Sequence, residues 1–297
     1  MIANKISVIT PSLNSVRFIE DAIQSVLNQR YINFEHIVVD GGSTDGTVEI
    51  LKKYPHLKWI SEPDNGQSDA MNKGFEMSTG EIIVYLNADD YFLPGAFNAV
   101  LPHFQRGHKF VVGKVKVLNE DGSFWINDPK IKFEEMLKWW APNAFSYNPA
   151  GYFYHRDVQK KVGGFNDKNH LNMDLEFLLD ASKKEAFTKI DFILGVFRLF
   201  KGTKTYENSD CATFKKKYPF CERLLSLCDQ SYIKQYINEK EKYLSFLEEK
   251  GRKVALSKTV FQAFKERRYR STVHPFICLF FLSLRSCWKA MLIRFQK

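Results

Sequence analysis

Carboxylates recur in the first ninety residues wherever an apolar run stops. Asp40 follows Phe34–Val39, Asp64 precedes Asn65-Gly66, and Asn87-Ala88-Asp89-Asp90 follows Glu81–Leu86. Acids at the ends of buried strands can share one rim of one sheet. A hard divalent cation takes oxygen ligands, and commonly divides its shell between a few carboxylates and the phosphates of a substrate. Such an ion neutralises a diphosphate as it departs. Asp89 and Asp90 are therefore candidate ligands for Mn²⁺ or Mg²⁺, with loop capping ahead of Pro94 as the competing use. Asp40 can accept a hydrogen bond from an imide N–H, such as N3 of uracil, while Gly41 and Gly42 let a ring approach the backbone. Its competing use is an Asx-turn. Asp64-Asn65-Gly66 and Asp69-Ala70-Met71-Asn72 would frame the other side of a nucleotide, although Asp69 could equally cap the helix it opens.

The elements needed to carry these groups are legible. Lys5–Thr10 is a β-branched run stopped by Pro11, and Ser15–Gln29 spaces Phe18, Ala22, Ile23, Val26 and Leu27 as an amphipathic helix. Phe34–Val39 predicts the next strand, followed by a helix over Val48–Leu51 capped by Ser43 or Thr44. Leu57–Ile60, Ser68–Met77 and Glu81–Leu86 predict strand, helix and strand. That rhythm implies right-handed crossovers and a largely parallel sheet with helices on both faces. In such sheets ligands bind outside the carboxyl ends of the strands. Beyond residue 105 the rhythm fades into a strand over Phe110–Leu118, a hairpin turn at 119–123, helices over Phe133–Trp140 and Leu171–Ser182, and a late strand over Ile190–Phe200. After Gly202 the pattern is helical, so residues 1–205 are expected to form the catalytic domain and 206–297 a helical C-terminal extension.

Four motifs occur in a specific order: Ile9-Thr10-Pro11-Ser12-Leu13-Asn14-Ser15, Val39-Asp40-Gly41-Gly42-Ser43-Thr44-Asp45-Gly46-Thr47, Glu62–Gly66 with Asp69–Gly74, and Leu86–Asp90. Over residues 4 to 205 the chain resembles family 2 glycosyltransferases of the GT-A (Rossmann-like) fold, of the kind that build bacterial surface polysaccharides. The resemblance implies an inverting transfer of sugar from a nucleotide donor, usually UDP-linked, to a saccharide or lipid-linked acceptor. It places Thr10, Pro11, Ser12, Asn14, Asp40, Gly41, Asp64, Asp69, Asn72, Asn87 and Ala88 around the nucleotide, with Asp89 and Asp90 at the metal. Gly163-Gly164-Phe165-Asn166, followed by His170–Phe177, resembles the acceptor-side acidic motif and makes Asp174 the expected base; Glu176, two residues on, turns to another face. There are departures from the family pattern. Leu13 replaces an aromatic, Asn87 an acid, and Phe200 a histidine, so Lys201 or Lys204 would supply the positive charge. A nucleotidyltransferase, or a nucleotide-sugar-binding protein with weakened turnover, is the alternative. The first would carry a glycine-rich basic loop after the first strand, where Thr10–Asn14 is not one.

The chain has 297 residues, 44% hydrophobic and 26% charged, the composition of an ordinary globular protein. Its net charge of +9 is concentrated: from Lys250 onward 12 Lys/Arg face one acid, leaving residues 1–249 near −2. That distribution removes nucleic acid as an expected partner of the catalytic part. Pro275–Leu284 is too short to span a bilayer, but arginines flank it and Trp288 follows. This pattern predicts an interfacial helix drawn to an anionic membrane surface. Five cysteines without tight spacing exclude a disulfide framework, and the first residues lack a signal-peptide pattern. The expected location is cytoplasmic, peripheral at the inner face of the membrane.

Overall fold

The computed structural model describes residues 4–207 and 219–265. The apolar stretch Pro275–Leu284 and its flanking arginines lie outside the described residues. Among the described residues no helix is long and apolar enough to cross a membrane. The chain divides into two compact units, Met1–Glu241 and Lys242–Lys297. Helix α9 (Pro219–Leu224) and the first turns of α10 (Gln230–Lys265) thus fall within the first unit, where Tyr236 is buried and packs edge-on to Trp140 at 4.9 Å.

The first unit is an α/β sheet in two halves. Strands β1 (Ile6–Ser12), β2 (Phe34–Asp40), β3 (Leu57–Ser61) and β4 (Ile82–Tyr85) pair in parallel in the order β3-β2-β1-β4. Helices α1 (Ile19–Leu27), α2 (Thr47–Leu51) and α3 (Gln67–Met77) form their crossovers. The other half is mixed: β8 (Tyr152–His155) runs antiparallel to β4, β6 (Phe110–Asn119) antiparallel to β8, and β9 (Thr188–Leu199) parallel to β6. β5 (Tyr91–Phe92) closes one edge, and β7 (Phe124–Asn127) pairs with β6 as a hairpin. Helices α4 (Ala96–Gln105), α5 (Phe133–Leu137), α6 (Arg156–Val162), α7 (Met173–Ser182) and the single turn α8 (Lys204–Glu207) complete the unit.

Pro11 does not end β1, which continues in register with β2 to pair Ser12 with Asp40. Alternation explains the tolerance. Ile9 accepts from Leu86 N–H on the β4 side, and Ser12 accepts from Gly41 N–H on the β2 side. The missing N–H of Pro11 therefore faces the side where β4 has already ended, so no ladder bond is lost. Helix α2 begins at Thr47, and its cap is Asp45, not Ser43 or Thr44: one carboxylate oxygen accepts from both the N–H and the hydroxyl of Thr47. The large core on one side of the sheet joins Val8, Val84, Phe97, Phe153 and Leu194. Tyr85, Tyr154 and Phe165 are buried with Phe177 of α7, in ring contacts of 4.7 to 5.2 Å.

Candidate active site

The order β3-β2-β1-β4 reverses direction at β1, so a crevice opens between the carboxyl ends of β1 and β4. Ligands of open α/β sheets bind at such a switch point. Its floor carries an unusual feature. The hydroxyl of Ser12 is buried without a hydrogen-bond partner, and so is that of Ser68 in the first turn of α3. A buried hydroxyl left unpaired costs about 1–3 kcal/mol unless a ligand or water completes it.

The walls are loops tied to one another. Asn14, at φ +49°, accepts from Thr44 N–H at 3.0 Å and donates its own N–H to Ser43 Oγ at 2.7 Å. Gly41 is needed because an added Cβ would lie 2.8 Å from Asp64 Oδ2; the glycine lets the loops after β2 and β3 meet. Asp64 accepts from Gly66 N–H at 2.8 Å, and Gly66 approaches His170 on the acceptor side. The structure thus brings Ser12, Asn14, Gly41, Asp64 and Asn87 around one crevice.

Several residues expected to touch the nucleotide are committed elsewhere. Thr10 is fully buried, with its hydroxyl 2.9 Å from His36 Nε2, and faces the interior. Pro11 is buried beside it, and Ala88 packs with Ile19 and Ile23. Asp40 has no exposed surface; its carboxylate accepts from Ser43 N–H and Oγ–H, Gly42 N–H and Ser61 Oγ–H. These bonds to Gly42 and Ser43 form an Asx-turn, so the Asp40 carboxylate organises the loop after β2. Asp69 accepts from Asn65 N–H at 3.0 Å and pairs with Lys73. Asn72 spends its amide on Phe165, donating to the carbonyl and accepting the N–H, both at 2.8 Å. It fastens α3 to the Gly163–Phe165 turn 93 residues away.

At the end of β4 the two aspartates separate in role. Asp90 is fully buried and accepts from Arg198 N–H at 2.9 Å, Asn148 Nδ2 at 2.7 Å and Asn87 Nδ2 at 3.0 Å. Through these bonds Asp90 anchors β9 and the loop before β8. Asp89 is half-buried, and among its described hydrogen bonds Arg198 donates to its backbone carbonyl, not its carboxylate. Burial raises the pKa of Asp89, countered by Arg198; burial and then the charge of Asp89 raise that of Asp90. Two acids held up by burial and mutual repulsion suit a neighbouring cation. Among the described residues no three His, Cys, Asp or Glu side chains gather as a ligand group. The carboxylate of Asp89 is a donor of the type that binds Mg²⁺ together with substrate phosphates.

Asp174 lies in the first turn of α7, half-buried, with Tyr152 Oη donating at 3.4 Å. Burial pushes its pKa up to about 6, against the opposing pull of Lys204 and the Tyr152 bond. Glu176 instead binds the Asn166 and Asn169 amides and pairs with Arg223, so the two acids of α7 point to different neighbours. Lys204 links the halves. Its ammonium lies 3.3 Å from Gln67 Oε1, and Gln67 Nε2 donates to Asn87 Oδ1 at 2.9 Å. Gln67 lies between the quoted segments Asp64–Gly66 and Asp69–Asn72 but carries no charge, so nothing in its own type marks it in the sequence. Arg198 was missed for the same reason that it matters here. It sits in a strand, yet its guanidinium pairs with Asp21 at 2.6 Å and lies 4.6 Å from the Tyr91 ring. Phe200, in the position discussed as a lost histidine, packs on Phe18 at 4.8 Å beneath Arg17. Two hollows, of about 690 Å³ beside Pro94 and Phe192 and of about 350 Å³ beside Gln24 and Tyr91, have neither Asp89 nor Asp174 in their linings.

A crevice at a 3-2-1-4 switch point, walled by a mixed half-sheet, is the GT-A architecture. The *S. aureus* protein TarS, residues 1–349, solved with UDP-GlcNAc, superposes with a TM-score of 0.59 at 19% identity, covering 79% of this chain and 71% of that one. The mannosyltransferase PcManGT from *Pyrobaculum calidifontis*, solved with GDP-Man and Mn²⁺, superposes at 0.54 and 16% identity, over 86% and 81%. Sequence adds the family: the model of glycosyl transferase family 2 matches residues 7–163, and the chain belongs to that family. It is 41% identical over 152 residues to TuaG of *Bacillus subtilis*, named for teichuronic acid biosynthesis, covering 49% of this chain and 56% of that one. To chondroitin synthase of *Pasteurella multocida* it is 26% identical over 197 residues, covering 63% and 20%. The chain spans about half the length of the first curated relatives it matches.

Proposed function

We propose that the chain transfers a sugar, with inversion, from a nucleoside diphosphate sugar to a saccharide or lipid-linked acceptor in surface polysaccharide synthesis. The observation that carries this reading is the chain of contacts from Asp174 through Lys204 and Gln67 to Asn87, two residues before Asp89: Asp89 is suited to a diphosphate-bound cation, and Asp174 to the role of base. UDP is the favoured nucleotide, supported by the UDP-GlcNAc complex of the TarS neighbour; polysaccharide synthesis is supported by the name of TuaG. A bound Mn²⁺ or Mg²⁺ would offset the charge of the departing diphosphate. Asp174 accepts the proton of the acceptor hydroxyl while its oxygen bonds to the anomeric carbon and the bond to the diphosphate breaks. A single base opposite the leaving group leads to inversion in one step. With a pKa of about 6, Asp174 is ionised at neutral pH and still basic enough to take the proton. Lys204, in contact with Gln67 and acting electrostatically on Asp174, would steady the base and add positive charge for a phosphate.

The test is a separable loss. UDP-GlcNAc with Mn²⁺ binds the wild type in calorimetry; Asp89→Ala removes the metal-dependent part of that affinity. Asp174→Asn keeps the affinity and loses turnover of the donor by about 10³-fold, within the range of general-base removal. Undiminished turnover in Asp174→Asn would eliminate it as the base. Binding without any turnover in the wild type would favour a binding protein.

A further inference from the structure

The mixed half of the sheet carries an exposed ring with an orderly setting. Trp125 on β7 is 41% exposed and pairs across the hairpin with Val117, which pairs in turn with Phe197 on β9. Its indole meets Tyr147 edge-on at 5.7 Å, and Tyr147 meets Phe145 edge-on at 4.9 Å. This group is rigidly held. Tyr147 donates its N–H to Asn127 Oδ1 at 3.0 Å, its hydroxyl accepts from Asn143 N–H at 2.9 Å, and Asn127 Nδ2 reaches Asn143 Oδ1. Neighbouring Phe124 pairs with Leu118 instead and lies under the Lys116 ammonium at 4.0 Å, so it turns away from Trp125.

Two connections tie the group to the catalytic rim. Asn148, the residue after Tyr147, donates to Asp90 at 2.7 Å. Arg198, the residue after Phe197, donates its N–H to the same carboxylate at 2.9 Å. Two strand spacings separate Trp125 from Phe197, about 10 Å of sheet. The nucleotide occupies the parallel half, β1 to β4, whereas Trp125 belongs to the half that carries Tyr152 and, through it, Asp174. The chemistry of the ligand follows from the surface. One face of a pyranose ring is lined by C–H groups with hydroxyls at its perimeter, and a rigid amphipathic aromatic plane supplies large contact area at small entropic cost. The other exposed aromatic of the hairpin points elsewhere, so the exposed aromatic surface here is narrow, one ring wide. It fits a sugar ring better than a protein partner, which takes a wide patch.

We propose that Trp125, backed by Tyr147, is a stacking subsite for a pyranose ring of the acceptor saccharide in the mixed half of the sheet. This rests on the transferase reading and deepens it. The test uses protein with ¹⁵N-labelled indoles, in which the Trp125 signal is identified by its loss in Trp125→Phe. Methyl β-glucopyranoside, methyl β-galactopyranoside and methyl β-N-acetylglucosaminide are titrated at millimolar concentration; at least one shifts the Trp125 signal, while UDP leaves it in place. Trp125→Ala weakens binding of that glycoside about tenfold by saturation-transfer measurement, and Trp125→Tyr retains most of it. A Trp125 signal unmoved by all three glycosides, or moved equally by UDP, overturns the subsite. Binding of UDP-GlcNAc is the separate control: its absence sinks the transferase reading, whereas its presence beside a silent Trp125 sinks the subsite alone.

Discussion

The two ends of the sheet treat a buried carboxylate in opposite ways. At the amino ends of β1 and β2, Glu35 is 6% exposed and receives Lys58 at 2.7 Å, Lys5 at 3.0 Å, Ser7 Oγ–H at 2.6 Å and Thr79 N–H at 2.6 Å. Burial alone would raise its pKa, but these donors outweigh burial and hold it far below the usual carboxylate range. At the carboxyl side, Asp174 has one long bond from Tyr152 and a more distant ammonium, and burial wins. The lesson is one of satisfaction: an acid given all its donors stabilises the fold, and an acid denied them is kept reactive.

Removing the satisfied acid has the largest expected effect on stability. Glu35→Gln leaves two ammoniums and several N–H and O–H donors without their charged acceptor, and costs about 3 kcal/mol by chemical denaturation. Because the folded pKa is depressed, that contribution is present above the unfolded value of 4.5 and is lost as pH falls. A Glu35→Gln protein as stable as wild type at pH 7 would break the contrast. The unsatisfied acid predicts the reverse. Asp174 has a raised folded pKa, so its contribution is favourable below 3.8 and is lost as pH rises through about 6. Asp174→Asn therefore unfolds at higher temperature than wild type at pH 8, a gain of about 1–2 kcal/mol, and the gain disappears below pH 4. A destabilised Asp174→Asn at pH 8 would show that the carboxylate has donors unaccounted for.

Much of the parallel half was legible because periodicity and turn chemistry agree there: the Glu81–Leu86 run became β4, and the acids fell at strand ends as read. What the sequence could not show was which acid is spent internally. Asp40 and Asp89 look alike in the chain, yet Asp40 is enclosed by Gly42 and Ser43 of its own loop and by Ser61 of β3, and Asp90 by residues 58 and 108 positions away. In the mixed half, β8 and α6 went unread, since Tyr152–His155 is a four-residue strand buried between neighbours and lacks the alternation that marks a half-exposed one. The helix α4 was also missed; Pro102 lies inside it, where proline usually argues for a break.

The smallest effect is the most discriminating, because it asks whether Asp174 is tuned or merely buried. Lys204 is exposed as a residue, yet its ammonium is drawn toward Gln67 and Asp174, and burial lowers its pKa while Asp174 opposes that shift. In return, Lys204 is the leading influence holding Asp174 down against burial. Turnover of the donor should rise with pH as Asp174 ionises, with a midpoint near 6. Lys204→Met withdraws the positive charge, and the midpoint moves upward by about half a unit, the modest effect of a partly screened ammonium. Lys204→Arg, which keeps the charge, restores the wild-type midpoint even where its rate is lower. Should Lys204→Met reduce the rate with the midpoint unmoved, Lys204 serves the phosphate alone, and burial by itself sets the basicity of Asp174.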